Sequence, residues 1–336
     1  MQLIDVRKIW DQAPHNAFTD LIRFRDRWYC AFREAGAHRS ADGKLRVIRS
    51  DDGTNWSSVA LMEEAGGDLR DAKLSITPQN QLMLHSVVMF KPPSRGKPRQ
   101  PLSWLSPDGT DWSPAYADPI ALGAYPWSVT WHNGIGYCPA YFGLESARPG
   151  GCLYQTRDGK SWKALANTMF PVATNGFGNE ASLVFGPNDV ACCLLRRDPL
   201  PYDSGSIPDA PGSSGQLGFA QPPYTEWTWK DLGVRIGGPK IIRLSDGRLL
   251  AAVRLYVGTR RHSLCWVDPA KGTITEFLTL PSGGDCGYAG VVEHDGAIWI
   301  SYYSTHEDKT AIYLAKVKDA PVTRKDVAKN EFTKTR

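Results

Sequence analysis

Side chains able to move protons, hold anions or stack on sugars recur at the ends of short apolar runs along this chain. His15, Asp20, Arg33, Glu34 and His38 come first, then Asp71 and Lys73, Trp127, Glu180, the pair Arg196 and Arg197, Arg254, and last Tyr288 and Tyr302. Carboxylates and imidazoles exchange protons, guanidinium groups grip anions through two parallel N–H donors, and aromatic faces suit the apolar side of a sugar ring. Charges beside apolar strands are costly unless paired, so this many of them predicts a polar pocket, provided the fold brings them to one rim. For any single residue the alternative is an ion pair tying neighbouring elements together.

Two series of turns supply such a fold. The first comprises Ser50-Asp51-Asp52-Gly53-Thr54-Asn55-Trp56, Ser106-Pro107-Asp108-Gly109-Thr110-Asp111-Trp112 and Thr156-Arg157-Asp158-Gly159-Lys160-Ser161-Trp162, each reading Ser/Thr-x-Asp-Gly-x-x-Trp. Hydroxyl and carboxylate can bond nearby backbone N–H groups, Gly admits positive φ, and Trp folds back as an apolar lid. The second series places short polar turns at Asp26, Asn80, Asn133, Asn188, Asp246 and Asp295, spaced 54, 53, 55, 58 and 49 residues apart and flanked by strand-like runs. Six near-equal strand-turn-strand units predict an all-β chain, a six-bladed β-propeller of four-stranded antiparallel blades, with Leu3–Ile9 completing the last blade. Strand direction alternates, so both turn series fall on one face and the candidates above on the other. That second face also collects Asn16, Arg70, His85, Tyr125, Tyr141, Glu145, Asn179, Asp198, Lys240, Tyr256, Tyr303, His306 and Glu307.

Bulk composition narrows the function. A formal charge of +4 over 336 residues argues against nucleic acid, and the only basic block is the tail from Arg324 to Arg336. The seven cysteines form no CxxC pair or zinc spacing and read as buried strand thiols. No run approaches the roughly 20 apolar residues of a membrane span, and the first residues lack a signal-peptide pattern, so a soluble chain is expected, in the cytoplasm or exported and trimmed. No phosphate-cradling glycine loop, serine elbow or zinc helix motif occurs, and no cofactor is expected, although His15, His38 and nearby carboxylates could meet at the rim.

With these staples and six units, the chain resembles the Asp-box sialidase (neuraminidase) superfamily over nearly its full length. The order of polar residues carries the likeness further: Asn179-Glu180 opens a strand, Arg196-Arg197 follows, then Arg254, and Gly287-Tyr288 opens the last blade. The resemblance implies Tyr288 as nucleophile, activated by Glu180, with Arg254 and one of Arg196 or Arg197 holding an anionic group. A phenol of pKa near 10 needs such a base, and a neutral nucleophile avoids repulsion by an anionic sugar. Two departures stand out. The family's blade-one Arg-Ile-Pro aligns with Ala17-Phe18-Thr19, so one clamp arginine is missing, and the acid/base loop reads Arg33 to Asp42, with Asp42 beside Gly43. Asp71, Glu34 and His38 are the acid/base candidates, and Arg33, His15, Asp20, Lys73, Trp127 and Tyr302 complete the candidate substrate contacts.

The expectation is a single propeller over residues 1–322 followed by a basic tail at 323–336, acting as a retaining exo-glycosidase on a terminal, anionic sugar of a glycan. Two alternatives stay open: a polysaccharide lyase that uses Tyr288 or a histidine as base with Arg254 or Lys240 neutralising a uronate, and a glycan-binding propeller without catalysis.

Overall fold

A computed structural model describes residues 1–94, 97–143, 150–202, 207 and 209–318; Glu145 and the tail at 323–336 lie outside the described residues. The chain is all-β. β1 (Gln2–Trp10) is followed by β2 (His15–Phe24), β3 (Arg27–Ala35), β4 (Lys44–Ser50) and β5 (Ser57–Met62), and these last four form an antiparallel sheet. β6 (Gly67–Ile76), β7 (Leu82–Ser94) and β8 (Lys97–Ser106) form the second sheet. The third comprises β9 (Tyr125–Pro126), β10 (Thr130–His132), β11 (Ile135–Tyr141), β12 (Cys152–Thr156) and β13 (Lys163–Ala166). β14 (Gly176–Phe185), β15 (Ala191–Pro199) and β16 (Ser214–Ala220) run into β17 (Thr228–Arg243), whose first half pairs with β16 and whose second half pairs with β18 (Leu249–Leu255). β19 (Arg261–Asp268) and β20 (Thr273–Thr279) complete that sheet. Last come β21 (Cys286–His294), β22 (Ala297–Ser304) and β23 (Ala311–Lys318), and β1 pairs antiparallel with β23, so the first and last described strands share a sheet.

Alternation along each strand explains why the sheets stack. In β3, Trp28, Cys30 and Phe32 enter one apolar cluster with Tyr288, Tyr303, Ile312 and Leu314, while Tyr29 and Ala31 enter another with Leu69, Leu74, Leu84 and Leu102. Both faces are therefore buried, one against the last sheet and one against the second. Further clusters join the second sheet to the third, the third to β14–β16, β15–β16 to β18–β19, and β18–β19 to the last sheet.

Both turn series take the conformations their residues favour. Gly53, Gly109 and Gly159 have φ of 75°, 85° and 73°. Beneath them Asp52 Oδ1 accepts from the N–H groups of Thr54 and Asn55 at 2.7 and 2.9 Å, and Asp108 and Asp158 repeat the pattern. Asp26, Asn80, Asn133, Asn188 and Asp295 are left-handed, a region Asn and Asp tolerate through local side-chain bonding.

Three sheets depart from the expected four strands, one of them the single seven-stranded sheet β14–β20, which stands where two units were expected. The second sheet has three, with Tyr116 bridging Ser103 where a fourth would lie; Pro114 and Pro119 on either side lack the N–H a ladder needs. The inner strand of the third sheet is split into β9 and β10 at Pro126-Trp127. Among the described residues no helix is long and apolar enough to cross a membrane.

Candidate active site

A single backbone device recurs at the inner strands. β2, β6, β14, β17 and β21 each slip register against the next strand, between Ala17 and Asp20, Arg70 and Lys73, Gly178 and Ala181, Gly237 and Lys240, and Gly287 and Gly290. Such bulges turn extra side chains out of the pleat. Phe18, Asp71, Gly238 and Tyr288 sit in them with φ of 61°, 53°, 54° and 51°, strained for the aromatic residues Phe18 and Tyr288. Asn179 and Glu180 occupy the bulge of β14. The bulged side chains converge on a cavity of about 880 Å³ lined by Phe18, Asp71, Asn179, Glu180 and Tyr288 together with Arg196, Asp198, Arg254 and Asp285.

At its floor the Tyr288 hydroxyl donates to Glu180 Oε1 at 2.5 Å. Arg196 Nη1 reaches both, 2.7 Å from Glu180 and 3.0 Å from the Tyr288 oxygen. Gly238 N–H donates to Glu180 Oε2 at 2.8 Å, and a Cβ on Gly238 would stand 2.8 Å from the Tyr288 ring. Burial, then the Glu180 charge, pushes the Tyr288 phenol well above its usual range, against the pull of Arg196 and Arg254. Tyr288 is thus a neutral phenol at rest, hydrogen-bonded to the carboxylate that can take its proton. Arg196 is held from behind by Asp198, which also accepts from Asn179 and Arg235.

Arg254 stands on the other side of Tyr288, its Cζ 5.2 Å from the ring centre, and donates to Cys286 O at 2.5 Å, Tyr303 at 2.9 Å and Tyr256 at 3.3 Å. Asp71 lines the same cavity. It accepts from the Tyr125 hydroxyl through Oδ2, while its buried Oδ1 has no hydrogen-bond partner among the described residues. Burial raises the Asp71 pKa, with Glu180 adding to the effect and Lys73, Tyr125 and Arg70 opposing it. His38, on the loop after β3, lines the rim and meets Asp285 at 2.6 Å; His15 meets the same carboxylate at 3.2 Å without lining the cavity.

The remaining candidates do not line the cavity. Arg33 is fully buried, paired with Asp68 at 2.8 Å and holding the carbonyls of Ala37 and Ser40, so it braces the loop that carries His38. Glu34 alternates to the other face of β3 and binds Trp10 Nε1 at 2.6 Å and Arg46 at 2.9 Å. Arg197 alternates away from Arg196 in the same manner, with Asp231 as its charge partner. Asp20 pairs with Lys240 at 3.0 Å and accepts the N–H of Leu74, below the floor. Lys73 is buried, 4.7 Å from the centre of the Trp127 ring, and Trp127 in turn packs behind Tyr288. Tyr302 points from the far face of β22, bonded to Pro281 O and stacked on Tyr313. Asp42 caps Gly36 N–H as a turn residue.

Asp285, Arg39, Arg260 and Tyr202 line the cavity without having been singled out in the sequence. Asp285 stands three residues before the bulge of β21, as His15 does before that of β2 and Asp68 before that of β6, a regularity that only the fold reveals.

No protein-family model and no curated protein sequence matches the chain. Solved structures do. A Dyadobacter fermentans protein of unknown function superposes with a TM-score of 0.77 at 18% identity, over 94% of this chain and 98% of that one. Penicillium chrysogenum α-L-arabinanase complexed with arabinobiose gives 0.69 at 13% identity, over 96% and 100%. Trypanosoma rangeli sialidase in complex with DANA gives 0.67 at 13% identity, over 90% of this chain and 55% of that one, so the chain spans about half the sialidase. The likeness is one of fold: an all-β, propeller-like architecture that glycoside hydrolases share.

Proposed function

We propose that the protein is a glycoside hydrolase on a six-bladed propeller, β17 serving as outer strand of one blade and inner strand of the next. It acts as a retaining exo-glycosidase on a terminal sugar. The observation that carries this reading is the Tyr288–Glu180 hydrogen bond of 2.5 Å at the floor of the cavity, with Arg196 on both oxygens. The Tyr288 oxygen attacks the anomeric carbon as its proton passes to Glu180, and Arg196 stabilises the charge developing on the phenol oxygen. Asp71, whose pKa burial raises, serves as the acid and gives its proton to the departing glycosidic oxygen as that bond breaks. Water then attacks the glycosyl-tyrosine, Asp71 takes the water's proton, and Glu180 returns the phenol proton.

Among the described residues six arginines line the cavity, Arg39, Arg70, Arg99, Arg196, Arg254 and Arg260, against four acidic residues, Asp71, Glu180, Asp198 and Asp285. That excess of positive charge supports an anionic sugar. A second reading, a neutral pentose at the same centre, is favoured by the hydrogen bonds that already occupy Arg254 and by Phe18 beside Ala17, where the sialidase pattern would place an arginine.

The test is a screen of sialosides, uronides and arabinosides read by product mass. Release of a sugar with one added water supports hydrolysis. An unsaturated product of unchanged summed mass assigns a lyase, and saccharide binding without products assigns a lectin; either overturns the proposal.

A further inference from the structure

Three side chains that this mechanism leaves unused meet at the cavity rim. His15 opens β2, His38 stands on the loop after β3 and Asp285 directly precedes β21, so three separate segments supply them. Both imidazoles address one oxygen: His15 Nε2 is 3.2 Å and His38 Nδ1 2.6 Å from Asp285 Oδ2. One ligating atom from each residue lies within 4.8 Å of the others. Ligands about 2.0–2.1 Å from a shared ion lie roughly 3–3.5 Å apart, so small side-chain rotations would close the set around a metal.

We propose that His15, His38 and Asp285 form a binding site for a divalent transition-metal ion such as Zn²⁺ or Mn²⁺. Two imidazole nitrogens and one carboxylate oxygen suit such ions, whereas Ca²⁺ and Mg²⁺ prefer all-oxygen shells. The carboxylate is already oriented for this. Asp285 Oδ1 accepts from Tyr303 at 2.9 Å and from Arg254 at 3.5 Å, which leaves Oδ2 facing the two histidines. Outer-shell bonds of this kind fix a ligand and tune its metal. Arg254 opposes a second cation nearby, but it engages the other oxygen. The His38 and Asp285 side chains are 43% and 27% exposed and face the cavity, so three protein ligands leave coordination positions open to water or a sugar hydroxyl.

The test uses the tag-free full chain after chelation, titrated separately with Zn²⁺ and Mn²⁺ by calorimetry, with metal-soaked crystals examined by anomalous diffraction. One equivalent of at least one ion is expected to bind, with its anomalous peak among the three side chains. His38→Gln and His15→Gln are each expected to weaken that affinity at least about tenfold. Absence of saturable binding by either ion, a peak elsewhere, or unchanged affinity in both variants overturns the site. No substrate enters the assay, so its outcome is independent of the glycosidase reading.

Discussion

In the proposed mechanism Asp71 and Tyr288 take different roles because their surroundings differ. Both are buried, and burial raises the pKa of both, but only Tyr288 has a second carboxyl side chain at its oxygen to take its proton. As general acid, Asp71 works while protonated, so activity is present below its raised pKa and lost as pH climbs through it. The variant Asp71→Asn is expected to lower kcat/KM, which reports the first step, by about 10²–10⁴-fold on glycosides with poor leaving groups and far less on nitrophenyl glycosides, and to remove the alkaline limb of its pH profile. Equal losses on both substrate types would show that Asp71 does something other than protonate the leaving oxygen. Arg33 teaches the converse: a fully buried arginine one residue from a candidate acid serves the loop rather than the cavity.

At the scale of elements, the bulges of the inner strands determine what reaches the cavity. Gly238 is the informative case, because its φ of 54° and the 2.8 Å gap to the Tyr288 ring leave no room for a Cβ. Gly238→Ala is expected to displace Tyr288 and lower kcat about tenfold or more while the purified variant stays folded; wild-type kcat would show that the bulge does not position the phenol. β1 belongs to the last sheet although it begins the chain. Deleting residues 1–10 should therefore lower the melting temperature by several degrees, whereas removing everything after Val322 should leave it nearly unchanged; equal effects would argue that β1 contributes little. The turn residues made these strands legible in the sequence, since Asn and Asp in left-handed positions declare themselves by type and spacing. The bulges did not, because a register slip leaves no residue signature; nor did the sequence show which face of a strand meets the cavity, so Arg197 was grouped with Arg196, which lines it, and Glu34 with Arg33, which does not. Glu180 and Tyr288 were found through their order along the chain, whereas Asp285 was hidden in a glycine-rich turn whose cross-strand partners only the fold reveals.

For the molecule as a whole, stability comes from sheets buried on both faces without covalent ties. All seven cysteines are free and buried, and burial pushes the thiols of Cys138, Cys192 and Cys265 up to about 12. A thiol reagent at neutral pH is expected to modify none of them in the folded protein and seven in denaturant, without prior reduction. Fewer than seven would reveal a disulfide. Apolar clusters join successive sheets, and one joins the first sheet to the last, packing together strands whose side chains line the cavity. Tyr288 as the proposed nucleophile of that cavity is checked by the turnover of Tyr288→Phe on a glycoside that the wild-type protein hydrolyses: kcat should fall by at least about 10³-fold with substrate affinity largely kept, and near-normal turnover would rule the phenol out as nucleophile.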